Sequence, residues 1–177
     1  MRITGGQLCG RRVEVPDGVI RPAMDRMRES VFAILGDLTG RSFLDIFSGS
    51  GIVALEAASR GANPVDAVEM DPLKRSTLIK NVSISPMRIN CHFMSAELFV
   101  KRAKHSFNYI FCDPPFPYRF KQQLVASISR SKLMIPGSVL LIHRPREDQF
   151  PEILEQLKLV DRREYGRSIV DFYTLET

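Results

Sequence analysis

Three acidic residues, Asp45, Glu69 and Asp113, stand within or directly after short apolar runs of the sequence. Asp45 precedes the turn Ser48-Gly49-Ser50-Gly51, and helical residues begin near Ile52. Glycine lets a backbone pass close to a ligand, and a helix N-terminus favours negative charge. The pattern G-S-G-x-x-A therefore indicates a nucleotide-type loop, although it fits a dinucleotide fingerprint only loosely.

Asp45 and Glu69 together narrow the chemistry of the ligand. A carboxylate at Asp45 would repel a pyrophosphate but suits a cationic or amine-bearing ligand. Glu69 follows 24 residues further on, where an acid commonly accepts from ribose hydroxyls. The pair predicts a ligand with a ribose, a positive end and no phosphate, which is the shape of S-adenosylmethionine. The alternatives, a strand-end cap at Asp45 and a solvated loop acid at Glu69, explain the joint spacing less well.

The motif Asp113-Pro114-Pro115-Phe116 follows another apolar run. Two prolines remove two backbone donors, so the Asp113 carboxylate and the Pro114 carbonyl form an acceptor-rich edge beside an aromatic face. Such an edge suits a planar base with an exocyclic amino group, whose N–H bonds are accepted while the ring stacks on Phe116. An ordinary strand-ending turn is the alternative. Asp113 is a weak base at its reference pKa of about 3.9, so we expect it to orient the amine.

Apolar runs alternate with helical stretches from Ser42 onward, which predicts an α/β fold with a parallel sheet. The predicted strands are Phe43 to Phe47, Val65 to Glu69, Ile89 to Met94, Tyr109 to Asp113 and Val139 to His143. Asp71-Pro72 is typical of a helix start and Gly61 of a helix end. Because ligands bind at the carboxyl edge of such sheets, the three acids should meet there.

Residues 1–39 are predicted to form an N-terminal extension, and residues 40–177 the main domain. The extension should contain a β-hairpin within Arg2 to Val15 and a helix after Pro22. Its apolar residues Met24, Met27, Val31, Ile34 and Leu38 should form one buried stripe. We further expect a helix over Phe120 to Lys132 with Phe120, Leu124 and Ile128 on one face and Lys121 on another, a helix from Asp148 to Lys158, and a closing hairpin of Leu159 to Tyr165 and Ser168 to Leu175.

The chain has 177 residues and a formal net charge of +5, typical of one globular domain. No apolar run approaches the roughly 18 to 20 residues of a membrane helix, and the N-terminus lacks a signal-peptide stretch, so we expect a cytoplasmic protein with no membrane partner. Cys9, Cys91 and Cys112 form no C-x-x-C pair, which predicts no disulfide and no metal site. We expect His92, His105 and His143 to be surface or structural residues.

Positive charge is unevenly distributed, since Pro114 to Arg146 contains basic residues but no Asp or Glu. A polyanionic partner would explain this, because each phosphate contact releases condensed counterion. A solvated basic surface is an equally good explanation of charge alone.

Asp45 to Gly51, Glu69 to Asp71 and Asp113 to Phe116 resemble the motifs of class I S-adenosylmethionine-dependent methyltransferases that act on exocyclic amines. RITGGQLCGRRV, RPAMDRMRESVFAIL, LDIFSGSGIVALEAASRGA, DPPF and YGRSIVDFY together resemble the bacterial RsmD family over nearly the whole chain. That resemblance implies a Rossmann-like, mostly parallel seven-stranded sheet. It also implies methyl transfer to N2 of a guanine in 16S ribosomal RNA of the small ribosomal subunit, by a protein that we expect to be a monomer.

The resemblance assigns roles to individual residues. Asp45, Ser48, Gly49 and Gly51 would line the methionine side of the cofactor, Glu69 the ribose, and Ser95 and Ala96 the adenine. Asp113, Pro114 and Phe116 would hold the guanine. The RNA would be bound by the GGQLCGRR hairpin, which contains Arg11 and Arg12, and by Arg21, Arg26 and Arg28. From the basic stretch Pro114 to Arg146 we also expect Arg119 and Arg144 to contact RNA.

The sequence departs from the family at Ala23-Met24, where a threonine is usual, at Ala33, where an asparagine is usual, and at His143-Arg144-Pro145, where an acid often stands. Two other functions remain open. One is N6 methylation of adenine in DNA or RNA, and the other is a non-catalytic nucleic-acid-binding module with the same fold. A nicotinamide dehydrogenase is disfavoured, because Asp45 is badly placed for it and no acid–base His or Lys accompanies the loop.

Overall fold

The fold is a single mixed sheet flanked by helices. The computed structural model describes residues 1–15 and 22–175; of the predicted site residues, Arg21 lies outside them. The strands are β1 (Phe43–Ile46), β2 (Val65–Val68), β3 (Ile89–His92), β4 (Tyr109–Cys112), β5 (Val139–Pro145), β6 (Ile153–Leu154), β7 (Leu157–Tyr165) and β8 (Ser168–Leu175). The helices are α1 (Pro22–Leu35), α2 (Ile52–Ser59), α3 (Arg75–Val82), α4 (Ala96–Lys101) and α5 (Lys121–Ser129).

The strand order is β3-β2-β1-β4-β5-β8-β7-β6. The first five strands are parallel, and β8, β7 and β6 add an antiparallel extension. This confirms the α/β fold and all five predicted parallel strands, but the sheet has eight strands where seven were expected. The order reverses between β1 and β4, and in open α/β sheets ligands bind at the carboxyl ends of the strands beside such a reversal.

Apolar side chains pack on both faces of the sheet, because successive residues of a strand point to opposite faces. Phe43, Phe111 and Leu141 pack on one face with α1 and α2. Leu44, Ile110 and Ile142 pack on the other with α4 and α5. Burial on both faces explains why these strands are almost continuously apolar in the sequence. Among the described helices, none has the length and apolarity to cross a membrane.

The N-terminal extension packs on α2, and the predicted hairpin within it is reduced to a short antiparallel pairing of its two arms. Its strand pairing is a single antiparallel bridge between Arg2 and Arg12. The backbone amide of Leu8 donates to Ser59 Oγ at 2.8 Å, and that of Gln7 donates to the Ser59 carbonyl at 2.8 Å. Ile3, Leu8 and Val13 join the core cluster of α1 and α2. Gly5 and Gly6 therefore allow close packing, because a Cβ at either position would clash with Arg60 or Ser59.

Three helix predictions need correction. The stripe of α1 buries Met27, Val31 and Phe32, while Ile34 is 43% exposed, because the buried face is centred one residue away from the predicted one. In α5, Leu124 and Ile128 are buried as predicted, but Lys121 is buried with them and Phe120 is exposed. The prediction of a helix from Asp148 to Lys158 is wrong, because Leu154 pairs with Leu157 across a tight turn. Glu155, the first residue of this turn, has φ 55°. The closing hairpin is confirmed as β7 and β8.

Candidate active site

The turn after β1 has two glycines with different tasks. Gly51 has φ 82°, and a Cβ there would come 2.6 Å from Cδ1 of Leu78 on α3, so the turn packs tightly against that helix. Gly49 has φ 57°, and a Cβ there would meet nothing within 4 Å. Gly49 therefore presents bare backbone to open space, which is the position where a ligand could approach the loop.

Asp45 lies beneath this turn and is only 1% exposed. Its Oδ2 accepts a hydrogen bond from Ser48 Oγ at 2.6 Å and one from the Ala54 amide at 3.1 Å. Burial raises the pKa of Asp45 to about 7 against the lowering effect of the Ser48 bond, and the negative charges of Asp113 and Glu69 add to the rise. Asp45 thus supports the loop from inside, and three carboxylates create a negative field that suits a cation.

Glu69 connects the end of β2 to the same turn. Its Oε2 accepts from the Gly49 amide at 2.8 Å, and its Oε1 accepts from the Asp71 amide at 2.8 Å. Asp71 in turn caps the 3₁₀ turn that precedes α3, accepting from the Leu73 amide at 3.0 Å. A carboxylate has about four acceptor positions, so Glu69 keeps capacity to accept from a diol.

Ser95 and Ala96 begin α4 after β3. Ser95 is half-buried, and its Oγ accepts from the Leu98 amide at 3.2 Å as the N-cap of α4. Ala96 is buried in the core cluster of α4 and α5. Both residues lie beyond the carboxyl end of β3, on the side of the sheet that carries Glu69, and their adenine role stays a prediction.

Asp113 follows β4 at the sheet edge. Its backbone amide donates to the Ile46 carbonyl at 3.2 Å, which fixes it beside the end of β1. Its Oδ1 lies 2.7 Å from Nδ1 of His143, at the end of β5. Phe116 stands edge-on to the His143 ring, with centroids 5.5 Å apart. Asp113, Phe116 and His143 therefore form one contiguous group.

His143 was expected to be a surface or structural residue; it is 2% exposed, and sequence reasoning missed its contact with Asp113. The signal was its position at the carboxyl end of β5, next to β4 in the sheet. Chemically active side chains gather at such ends.

Lys121 holds the loop that carries Phe116. Its Nζ donates to the carbonyls of Phe116 and Tyr118, both at 2.7 Å, and forms a 2.7 Å ion pair with Asp148. A cavity of about 500 Å³ lies beside this loop; it is lined in part by Phe116, Arg119, Gln122, Gln149 and Phe150. A lysine buried in this way is structural, which corrects its predicted place on another face of α5.

The prediction of RNA binding is wrong for two arginines, because their guanidinium groups are buried in ion pairs. Arg28, 3% exposed, bonds Asp25 at 2.9 Å and the Arg2 carbonyl at 2.7 Å. Arg144, 2% exposed, bonds Asp171 at 2.6 Å. Other arginines of the predicted set are exposed, namely Arg11, Arg12, Arg26 and Arg119.

The fold and the carboxyl-edge site define a methyltransferase of the S-adenosylmethionine-dependent class. A family model described as conserved hypothetical protein 95 matches residues 1–174. The chain therefore belongs to that family, the RsmD family.

Individual relatives agree with this assignment. The Ribosomal RNA small subunit methyltransferase D of Escherichia coli (strain K12) is 29% identical over 99% of this chain and 90% of its own length. The solved structure of the Escherichia coli protein yhhF has a TM-score of 0.88 at 30% identity, covering 99% of this chain and 98% of its own. A tRNA1(Val) (adenine(37)-N6)-methyltransferase of Aliivibrio salmonicida is 31% identical over 62% of this chain and 42% of its own length.

Proposed function

We propose that this protein transfers a methyl group from S-adenosylmethionine to the exocyclic N2 amine of a guanine in 16S ribosomal RNA of the small ribosomal subunit. The observation that carries the proposal is the placement of Asp113. Its Oδ1 faces His143, its Oδ2 remains to accept from a substrate, and its side chain is 17% exposed at the reversal point of the sheet.

The residues around the glycine turn fit the cofactor. Gly49 leaves open backbone, Glu69 can accept from the ribose hydroxyls, and the field of Asp45, Asp113 and Glu69 favours a positive ligand. When bound, S-adenosylmethionine supplies a methyl group on a cationic sulfur. The three acids would be repelled by a pyrophosphate, which disfavours a nicotinamide dinucleotide.

The chain's own residues would orient the acceptor amine. The nitrogen lone pair of an aryl amine is delocalised into its ring, so the free amine is a poor nucleophile. If Asp113 Oδ2 and the Pro114 carbonyl accept the two N–H bonds while Phe116 stacks on the base, the lone pair turns toward the methyl group. After transfer the nitrogen carries one excess proton, which the Asp113 carboxylate is placed to accept.

Two observations support ribosomal RNA as the substrate class. The Escherichia coli relative named Ribosomal RNA small subunit methyltransferase D is aligned over nearly the whole chain. Exposed Arg119 follows the Phe116 loop directly, and Arg11, Arg12 and Arg26 are exposed on the extension and α1. Basic side chains of this kind bind phosphates without reading sequence.

Adenine N6 is the second candidate, because a relative named as a tRNA adenine-N6 methyltransferase matches part of the chain. The acceptor-rich edge at Asp113 and Pro114 can hold either exocyclic amine. The choice between guanine and adenine depends on the rest of the base edge.

The test is transfer of labelled methyl from S-adenosylmethionine to purified small subunits that lack this modification, followed by digestion of the RNA to nucleosides. We expect labelled N2-methylguanosine. Labelled N6-methyladenosine would show that the substrate base is adenine and not guanine. If no methyl group is transferred while the protein still binds the cofactor, the substrate is another nucleic acid. Absence of cofactor binding would favour a non-catalytic module.

A further inference from the structure

We propose that His143 is a positioning residue for methyl transfer: it donates its Nδ1–H to Asp113 Oδ1 and so holds Oδ2 toward the substrate amine. This inference deepens the proposed function and rests on it. The contact between Nδ1 and Oδ1 is 2.7 Å long, within the range of a charge-assisted hydrogen bond.

The sheet brings the two residues together. Cys112 of β4 and Ile142 of β5 are register partners, so Asp113 and His143 are the next residues on neighbouring strands. On the other side of β5, His143 pairs with Val170 of β8. The backbone of His143 is thus held within the sheet, and its buried imidazole lies between the Asp113 carboxylate and the Phe116 ring, which leaves the ring little freedom to rotate.

The surroundings of the ring identify its tautomer. Nε2 is buried, and within residues 1–15 and 22–175 it has no hydrogen-bond partner. A buried N–H without an acceptor is rare and costly, whereas an acceptor without a donor is tolerated more often. With Nε2 left as the acceptor, a ring proton belongs on Nδ1, which makes His143 the donor and Asp113 Oδ1 the acceptor of their hydrogen bond.

A fixed carboxylate matters because the terminal torsion of an aspartate is broad. Without the His143 bond, the Asp113 carboxyl group could rotate and present its acceptors at several angles. Displacement of a positioning group by about 1 Å can cost about 100-fold in rate. The same ring touches Phe116, so one residue sets both the acceptor and the stacking surface of the base site.

A matched pair of variants tests the bond. In His143→Asn, the amide nitrogen is two bonds from Cβ, as Nδ1 is in histidine; in His143→Leu, a methyl group takes that place. We expect His143→Leu to lower kcat about 100-fold with the cofactor KM within about twofold of wild type. We expect His143→Asn to keep kcat within about tenfold of wild type, with similar melting temperatures for the two variants.

Equal losses in both variants, or no loss in His143→Leu, would overturn the positioning role. A rise in cofactor KM as large as the fall in kcat would also contradict it, because it would place His143 at the cofactor. A higher kcat in His143→Asn than in His143→Leu would show that the donated hydrogen bond matters, and not only the volume of the side chain.

A second measurement is independent of the substrate. The chain has three histidines, so ¹⁵N-resolved NMR of the imidazole rings can determine the tautomer of each, with His143 assigned by its absence in His143→Asn. We expect the Nδ1–H tautomer for His143; the Nε2–H tautomer would overturn the proposal. If the wild type transfers no methyl group to ribosomal RNA, the proposed function fails, and the NMR result then decides the Asp113–His143 bond by itself.

Discussion

Glu69 and Gly49 are joined by a 2.8 Å hydrogen bond from the Gly49 amide to Glu69 Oε2. The bond links the end of β2 to the turn after β1, across two neighbouring parallel strands. One carboxylate therefore fixes the shape of the glycine turn, and in the proposed function the same carboxylate accepts from the ribose. Cofactor affinity and loop conformation should respond together when Glu69 is changed.

Replacing Glu69 by glutamine should weaken cofactor binding. Glutamine has one acceptor oxygen, so it cannot accept from both the Gly49 and Asp71 amides as Glu69 does. The lost bonds to backbone and ribose should lower affinity for S-adenosylmethionine by about 10- to 100-fold, which calorimetric titration would measure. Transfer should recover at saturating cofactor; if saturation restores nothing, the ribose role is wrong.

Replacing Asp113 by alanine should lower kcat and leave cofactor affinity nearly unchanged. In the proposed function the carboxylate faces the base, so kcat should fall about 100- to 10,000-fold while cofactor affinity stays within about twofold. Steady-state kinetics combined with cofactor titration separates the two effects. A parallel loss of cofactor affinity would show that Asp113 belongs to the cofactor site.

The ionisation of Asp45 should make stability depend on pH. Burial raises the pKa of Asp45 from 3.8 to about 7, so between about pH 4 and pH 7 the folded protein retains a proton that the unfolded chain has released. Ionised Asp45 therefore costs stability, and the cost grows with pH to about 4 kcal/mol at pH 7 and above.

Asp45→Asn removes this charge while its amide oxygen can still accept from Ser48 and Ala54. Relative to wild type, the variant should gain stability as pH rises from about 4 to 7 and stay constant above that range. Urea unfolding of both proteins at several pH values measures the difference. A difference in unfolding free energy that does not change with pH would contradict the raised pKa of Asp45.

Gly6 and Gly10 provide a test of how the extension packs. Both have positive φ, 75° and 83°, but a Cβ at Gly6 would lie 1.9 Å from the Ser59 carbonyl oxygen, whereas a Cβ at Gly10 would meet nothing within 4 Å. Gly10→Ala should cost about 1 to 2 kcal/mol of unfolding free energy from backbone strain alone. Gly6→Ala should cost clearly more, and similar costs in denaturant unfolding would refute the close contact with α2.

Arg119 should contribute to RNA affinity through a phosphate contact. It is exposed and follows Phe116 in the loop beside the site. Arg119→Gln should weaken RNA binding and reduce the slope of log affinity against log salt by about 1. Lys132, exposed just beyond the far end of α5, is the matched control, and Lys132→Gln should leave the slope unchanged. An equal change in both variants would indicate a diffuse charge effect.

The five parallel strands and the carboxyl-edge acids could be predicted because their evidence is local. A strand buried on both faces is a short apolar run, and Asp45, Glu69 and Asp113 each stand in or next to one. The partners of buried charges could not be predicted in this way. Arg144 meets Asp171, and His143 meets Asp113, across strands that are distant in the sequence. The resemblance and the uneven charge therefore predicted RNA contacts for Arg28 and Arg144, whose guanidinium groups are buried in ion pairs instead.

The segment after β5 shows a different limit. Phe150, Leu154 and Leu157 are spaced four and three residues apart, which is consistent with a helical face in the predicted helix Asp148 to Lys158. In the structure Leu154 and Leu157 are register partners of β6 and β7. Residues three apart in the sequence, such as Leu154 and Leu157, can face each other across a two-residue turn or lie on one face of a helix. The pairing of β7 with the long strand β8 favours the turn, and this pairing is not visible in the local sequence.

The most direct test of the account is the N2-methylguanosine content of 16S ribosomal RNA in a strain that lacks this protein, complemented by wild type or by Asp113→Ala. We predict that nucleoside mass spectrometry finds less N2-methylguanosine in the deletion strain. Wild type should restore it, and Asp113→Ala, expressed at the same level, should not. Unchanged N2-methylguanosine in the deletion strain, or full restoration by Asp113→Ala, would contradict the assignment of guanine N2 and of Asp113.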